Sequence, residues 1–130
     1  MYLLTTVVLL LLTRSLLTVQ ADKVAVNGTF MCRGKSAGNV LVQLYNMGLL
    51  NDNKLTEQKT RRDGQFELHG EAENLKPLLL IQHMCRTSRK GCWRQFQLPI
   101  PQVYVNSKDT YQMTYITLDI KWQKEEEECK

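Results

Sequence analysis

The stretch Leu78 to Pro101, LLLIQHMCRTSRKGCWRQFQLPIP, constrains the fold more than any other. It reads as two strands joined by a basic loop with a cysteine at each end. Along Leu78 to Cys85, Leu79, Ile81, His83 and Cys85 share one face of the pleat, and Leu78, Leu80 and Met84 line the other. A strand apolar on both faces belongs at the centre of a sheet or under a cover, such as the second subunit of a homodimer. On the return strand Cys92, Phe96 and Leu98 alternate with Trp93, Gln95 and Gln97, and Pro99 and Pro101 end it.

The rest of the chain offers more strands for this hairpin to pack against. Val24 to Cys32 alternates, with Val24, Val26, Phe30 and Cys32 on one side. Val40 to Asn46 turns Val40, Val42 and Leu44 inward, and Leu55 to Thr60 is polar enough to stand only at an edge. Asp63-Gly64 is tight-turn chemistry before Gln65 to His69. Gly70 to Pro77 has room for one helical turn before Pro77 stops it. Tyr111 to Trp122 places Ile116, Leu118, Ile120 and Trp122 on one side. About seven short strands and no long helix indicate an all-β chain, an antiparallel β-sandwich with at most one short helix.

Leu3 to Leu12 is an apolar run too short to span a bilayer, and Val19-Gln20-Ala21 after it has the small residues of a signal-peptidase site. Residues 1–21 are therefore read as a signal peptide, 22–122 as the domain and 123–130 as a charged tail, mobile except where Cys129 ties it. No later stretch could form a transmembrane segment, and the expected location is extracellular. Arg14 is the leader's one charged side chain, so the secreted chain keeps 16 of the 17 basic residues and all 13 acids, net +3. A balance this mild does not call for nucleic acid. An even cysteine count in a small secreted domain reads as two disulfides. Four cysteines allow three pairings; the hairpin suggests Cys85 with Cys92, which leaves Cys32 with Cys129. Asn27-Gly28-Thr29 is a glycosylation sequon, with Asn27 turned away from the apolar face.

No catalytic set, cofactor motif or metal cluster stands out. His83, Cys85 and Cys92 have a geometry compatible with zinc, but in an oxidising compartment a disulfide and a buried, hydrogen-bonded histidine are the expected state. A bridged Cys85 offers no thiolate for a Cys–His nucleophile. Asp52, Asp63, Glu67, Glu71 and Glu73 fall in turns and on polar faces, as solvated charges do.

An ordered set of short pieces resembles the nematode transthyretin-like family. They are Val26-Asn27-Gly28, Cys32-Arg33-Gly34-Lys35, Val40 to Tyr45, Lys59-Thr60, Asp63-Gly64-Gln65-Phe66, His83-Met84-Cys85, Cys92-Trp93-Arg94, Pro99-Ile100-Pro101 and Tyr104. The likeness runs from about Val24 to Lys121. It departs at Lys35-Ser36, where Lys-Pro is usual, and at Asn46-Met47-Gly48, which replaces a commonly acidic segment. The resemblance implies a secreted two-sheet sandwich similar to transthyretin. A related sandwich family hydrolyses 5-hydroxyisourate, but its C-terminal Tyr-Arg-Gly-Ser is absent here, where the chain ends Glu128-Cys129-Lys130.

The expected function is non-enzymatic binding of an extracellular protein or an anionic lipid surface. The candidate surface is the loop of Arg86, Arg89, Lys90 and Arg94, four cations within nine residues, with Trp93 exposed beside them. The alternative is a carrier for a small apolar ligand in a cavity or dimer channel.

Overall fold

The computed structural model describes residues 20–48 and 50–130; the expected signal peptide, apart from Gln20 and Ala21, lies outside them. Among the described residues nine strands follow in chain order: β1 (Asp22–Cys32), β2 (Lys35–Ser36), β3 (Leu41–Asn46), β4 (Asn53–Lys59), β5 (Gln65–Ala72), β6 (Pro77–His83), β7 (Cys92–Pro99), β8 (Tyr111–Thr117) and β9 (Glu126–Cys129). β1 pairs with β2, β5 and β8 in one sheet, and the other runs β4-β3-β6-β7-β9. Two sheets face each other as a sandwich.

Period-two alternation builds the core between them. Val24, Val26 and Phe30 of β1, Phe66 and Leu68 of β5 and Ile116 of β8 meet Val42, Leu44, Leu79, Ile81 and Phe96 of the other sheet. The strand apolar on both faces, β6, is the middle strand of five, and polar β4 is an edge. Phe30 stacks on Phe66 at 5.0 Å, and Phe96 lies parallel to Trp122 at 5.1 Å. The Asp63-Gly64 turn needs its glycine twice over. Gly64 has φ +71°, and a Cβ there would stand 2.6 Å from the Phe30 carbonyl oxygen.

Several expectations are corrected. The sandwich is antiparallel except for β1 and β8, which run parallel. The last long strand stops at Thr117 rather than Trp122, because the Leu118 and Ile120 carbonyls accept hydrogen bonds from Arg94. Gly70 to Pro77 holds no helical turn: β5 continues to Ala72, Asn74 takes a left-handed conformation (φ 51°), and Leu75 plugs the core. The helical element among the described residues is instead a 3-10 turn at Gln102–Tyr104. The acidic tail is not loose; its Glu126–Cys129 segment forms β9 on the edge of β7.

The disulfides join Cys32 to Cys85 and Cys92 to Cys129, not Cys85 to Cys92. Cys85 and Cys92 would face each other only if the β6–β7 ladder ran two residues past its last pair, His83 and Arg94. The chain leaves the ladder at Met84 and turns through Arg86 (φ 51°). Cys85 is left against the end of β1 and bridges the two sheets to Cys32. Cys92 lies in register with Cys129 of β9. In the chain-entropy account, loops of 53 and 37 residues correspond to about 4 kcal/mol each. No helix of the described residues is long and apolar enough to cross a membrane.

Candidate functional site: the basic loop and the sheet face beside it

The hairpin loop between β6 and β7 carries its four cations into two different environments. Alternation along β7 puts Arg94 on the same face as Cys92 and Phe96, so its side chain enters the protein and is 7 % exposed. All five guanidinium donors find acceptors. Nε and one terminal nitrogen reach the Glu125 carboxylate at 3.0 and 2.8 Å, that nitrogen also donates to the Ile120 carbonyl, and the other donates to the Cys85 and Leu118 carbonyls. A buried pair satisfied in this way holds four chain segments together and presents no charge to a partner.

Arg86, at the other shoulder, donates from Nε to Asp119 at 2.6 Å. Asp119 also accepts the Arg33 backbone N–H on both oxygens and the Thr117 hydroxyl. The Arg86 bond, with those of Arg33 and Thr117, holds the Asp119 carboxyl below its ordinary range. Asp119 sits beside the Cys32–Cys85 bridge. The tail closes over the loop from the other side: Glu127 accepts the Ser88 N–H at 2.8 Å and the Ser88 hydroxyl at 3.0 Å, which lowers its carboxyl as well. Arg94 is thus not a surface cation, and Arg86 is half-exposed and ion-paired with Asp119. Arg89 and Lys90, at the tip, take part in none of the salt bridges among the described residues.

His83 ends β6 under this loop and is buried. Its Nδ1 accepts the Cys85 N–H at 3.0 Å, so a neutral ring carries its proton on Nε2, which meets no protein acceptor. Burial, and then the Arg94 charge, push its pKa down to about 4. The zinc set considered from the sequence is dismantled: Cys85 and Cys92 are bonded to different sulfurs. Cys32, Cys85 and Asp119 do bring three ligand-type atoms within 4.8 Å, but two of them are one disulfide.

Trp93 points the opposite way from Arg94, onto the outer face of the five-stranded sheet, where it is half-buried rather than exposed. There it borders a shallow groove of about 250 Å³ with Leu41, Gln82 and Met84, flanked by Lys59 and Lys130. Met84 is 65 % exposed. Lys130 is drawn to the loop tip by its N–H, which donates to the Gly91 carbonyl. Glu128 is the acid opposite Trp93 in the β7–β9 ladder. Lys59 and Lys130 are the cations that line this groove, and Arg89 and Lys90 stand exposed at the tip of the loop that leads into Trp93 and β7. The outward pleat positions of Leu41 and Gln82 could have pointed to this face; the approach of Lys59 and Lys130 left no mark in the sequence.

Comparison with known proteins bears on family and fold. The transthyretin-like family (TTR-52) matches residues 27–101. The chain is 38% identical over 117 residues to transthyretin-like protein 16 of Caenorhabditis elegans, covering 87% of each. It is 36% identical over 95 residues to transthyretin-like protein 5 of the same organism, 69% of this chain and 68% of that one. Among solved structures, a 9R-lipoxygenase from Cyanothece PCC8801 contains a similar fold, with TM-score 0.50 and 15% identity over 77% of this chain and 17% of that protein. That likeness concerns fold alone.

Proposed function

Because the chain belongs to the transthyretin-like family, whose membership suggests binding or carriage rather than catalysis, we propose that it is a secreted, non-enzymatic module that docks on an anionic surface. The docking face is the groove of Leu41, Met84 and Trp93 with Lys59 and Lys130, together with the adjoining loop tip of Arg89 and Lys90. The carrying observation is the pairing of an exposed thioether and an indole with Lys59 and Lys130, next to a loop whose tip cations Arg89 and Lys90 are exposed while Arg86 and Arg94 are bound to Asp119 and Glu125. A Trp beside lysines suits the headgroup layer of a membrane. Each cation near an anionic leaflet contributes about 1 kcal/mol, an attraction that fades as salt rises. An acidic extracellular protein offers the same charge and would use the same face.

Two disulfides are compatible with secretion. A carrier role is less well supported. Phe30, Phe96, Leu44, Leu75, Leu79, Ile81 and Leu118 fill the space between the sheets, so a small apolar ligand would sit on the surface, in a groove of one copy or between two.

Trp93 gives the test its own reporter. With phosphatidylserine vesicles at low salt, its emission is expected to shift to the blue and to be quenched by brominated acyl chains. Phosphatidylcholine vesicles should do neither, and Trp93→Phe should remove the signal while Trp122 remains. Emission unaffected by anionic vesicles, together with retention on an acidic protein or heparin column, would move the partner from lipid to protein or glycan. No response to either would refute the docking face.

A further inference from the structure

The opposite face of the molecule, on the four-stranded sheet, carries a separate feature. Asn27 and Thr29 of β1 point outward with Gln65 and Glu67 of β5 and Gln112 of β8, and line a polar groove of about 560 Å³. Asn27 lies directly between Glu67 on one side and Gln112 on the other. Here the β1–β8 ladder is irregular. Asn27 pairs with Gln112 and Thr29 with Tyr115, so Gly28 alone opposes both Met113 and Thr114. That is a β-bulge. It puts Thr114 in the left-handed region (φ 56°), where a β-branched residue is strained. The bulge also changes parity. Residues three apart face opposite sides of a regular strand; because the bulge makes Met113 and Thr114 count as one position, Gln112 and Tyr115 both face out. Tyr115 consequently stands 75 % exposed beside Thr29 of the sequon. Gly28 itself faces inward, where a Cβ would come within 2.9 Å of the Phe66 ring.

Amide side chains and carboxylates line this trough, and the exposed Tyr115 ring stands next to it, in register with Thr29; groups of these kinds recognise a pyranose. The ring's C–H face lies on the aromatic, amides donate and accept at once, and a carboxylate accepts from hydroxyls. The sequon sits inside the trough. We propose that this groove is a carbohydrate subsite whose occupant is the base of an N-linked glycan on Asn27. The first N-acetylglucosamine rests on Tyr115 and is bonded by Gln65 and Gln112. The strained bulge is the device that aims Tyr115 at it.

The test uses the full chain secreted from a eukaryotic host and the same chain made without glycan. Peptide mass should show sugar on Asn27. The glycosylated protein, and the form trimmed by an endoglycosidase to a single sugar, should both melt about 3–6 °C above the unglycosylated chain. Tyr115→Ala should shrink that gap to under about 1 °C while leaving the unglycosylated chain unchanged, because the side chain is exposed. A vacant Asn27 in the secreted protein overturns the proposal. So does a gap that Tyr115→Ala leaves intact. If the unglycosylated chain binds free chitobiose while secreted Asn27 is vacant, the groove serves a foreign sugar and the intramolecular assignment falls.

Discussion

The shoulders and the tip of the β6–β7 loop are built from the same residue types and do opposite things. Arg86 and Arg94 at the shoulders are bonded to Asp119 and Glu125, and Arg94 is enclosed. Arg89 and Lys90 at the tip are exposed and outside every salt bridge of the described residues. The difference comes from partners distant along the chain. Asp119 and Glu125 lie more than 30 residues downstream and reach the loop only because β8 and β9 fold back against it. A run of cations in one segment is therefore not yet a basic surface. What faces the solvent is the remainder after long-range pairing.

The sharpest way to break this contrast is to unpair the buried shoulder. Glu125→Gln leaves the Arg94 charge enclosed without its carboxylate, and is expected to cost about 3–5 kcal/mol in urea unfolding. Replacing both partners, Arg94→Met with Glu125→Leu, should recover much of that loss, since a buried ion pair often stabilises little relative to apolar residues of similar size. A loss under about 1 kcal/mol for Glu125→Gln would place Arg94 in solvent and return it to the surface charge.

A smaller effect concerns His83, which lies beneath the same shoulder. Its folded pKa of about 4 lies below the ordinary histidine value of 6.5. The unfolded chain therefore takes up this proton first. The stability due to neutral His83 is complete above pH 6.5 and is lost as pH falls from there towards 4, by up to about 3 kcal/mol. The carboxyls of Asp22, Glu57, Asp119 and Glu127 are all held low, so their contributions disappear only at lower pH. His83→Gln keeps an acceptor for the Cys85 N–H and removes the titration. Its urea midpoint should be flat between pH 6.5 and 5, where the unaltered chain declines. A decline of equal size in both would assign the pH dependence elsewhere.

Much of the fold was legible because alternation is a local signal. It identified the inner faces of β1, β3 and β6 and the polar edge at β4, and it left the strand apolar on both faces two places, the centre of a sheet or under a cover, of which β6 takes the first. The same alternation puts Arg94 inward with Cys92 and Phe96, so that residue was readable; its charge concealed it. Other features left no local mark. Cys85 and Cys92 fall opposite each other on an idealised hairpin, and only the chain's departure after His83 separates them. β9 is four exposed residues, three of them glutamate, and becomes a strand through Cys129 and the free edge of β7. The bulge at Thr114 belongs to the pairing of two strands more than 80 residues apart, and nothing within Tyr111 to Thr117 announces it.

The most direct measurement of the central contrast is the partition of an Arg89→Ala, Lys90→Ala double variant onto phosphatidylserine vesicles, taken beside its urea unfolding curve. Two surface cations at about 1 kcal/mol each predict partition about 30-fold weaker, with stability unchanged to within about 0.5 kcal/mol. Partition equal to that of the unaltered chain, or a loss of stability comparable with that of Glu125→Gln, would contradict the division of the loop into structural shoulders and a docking tip.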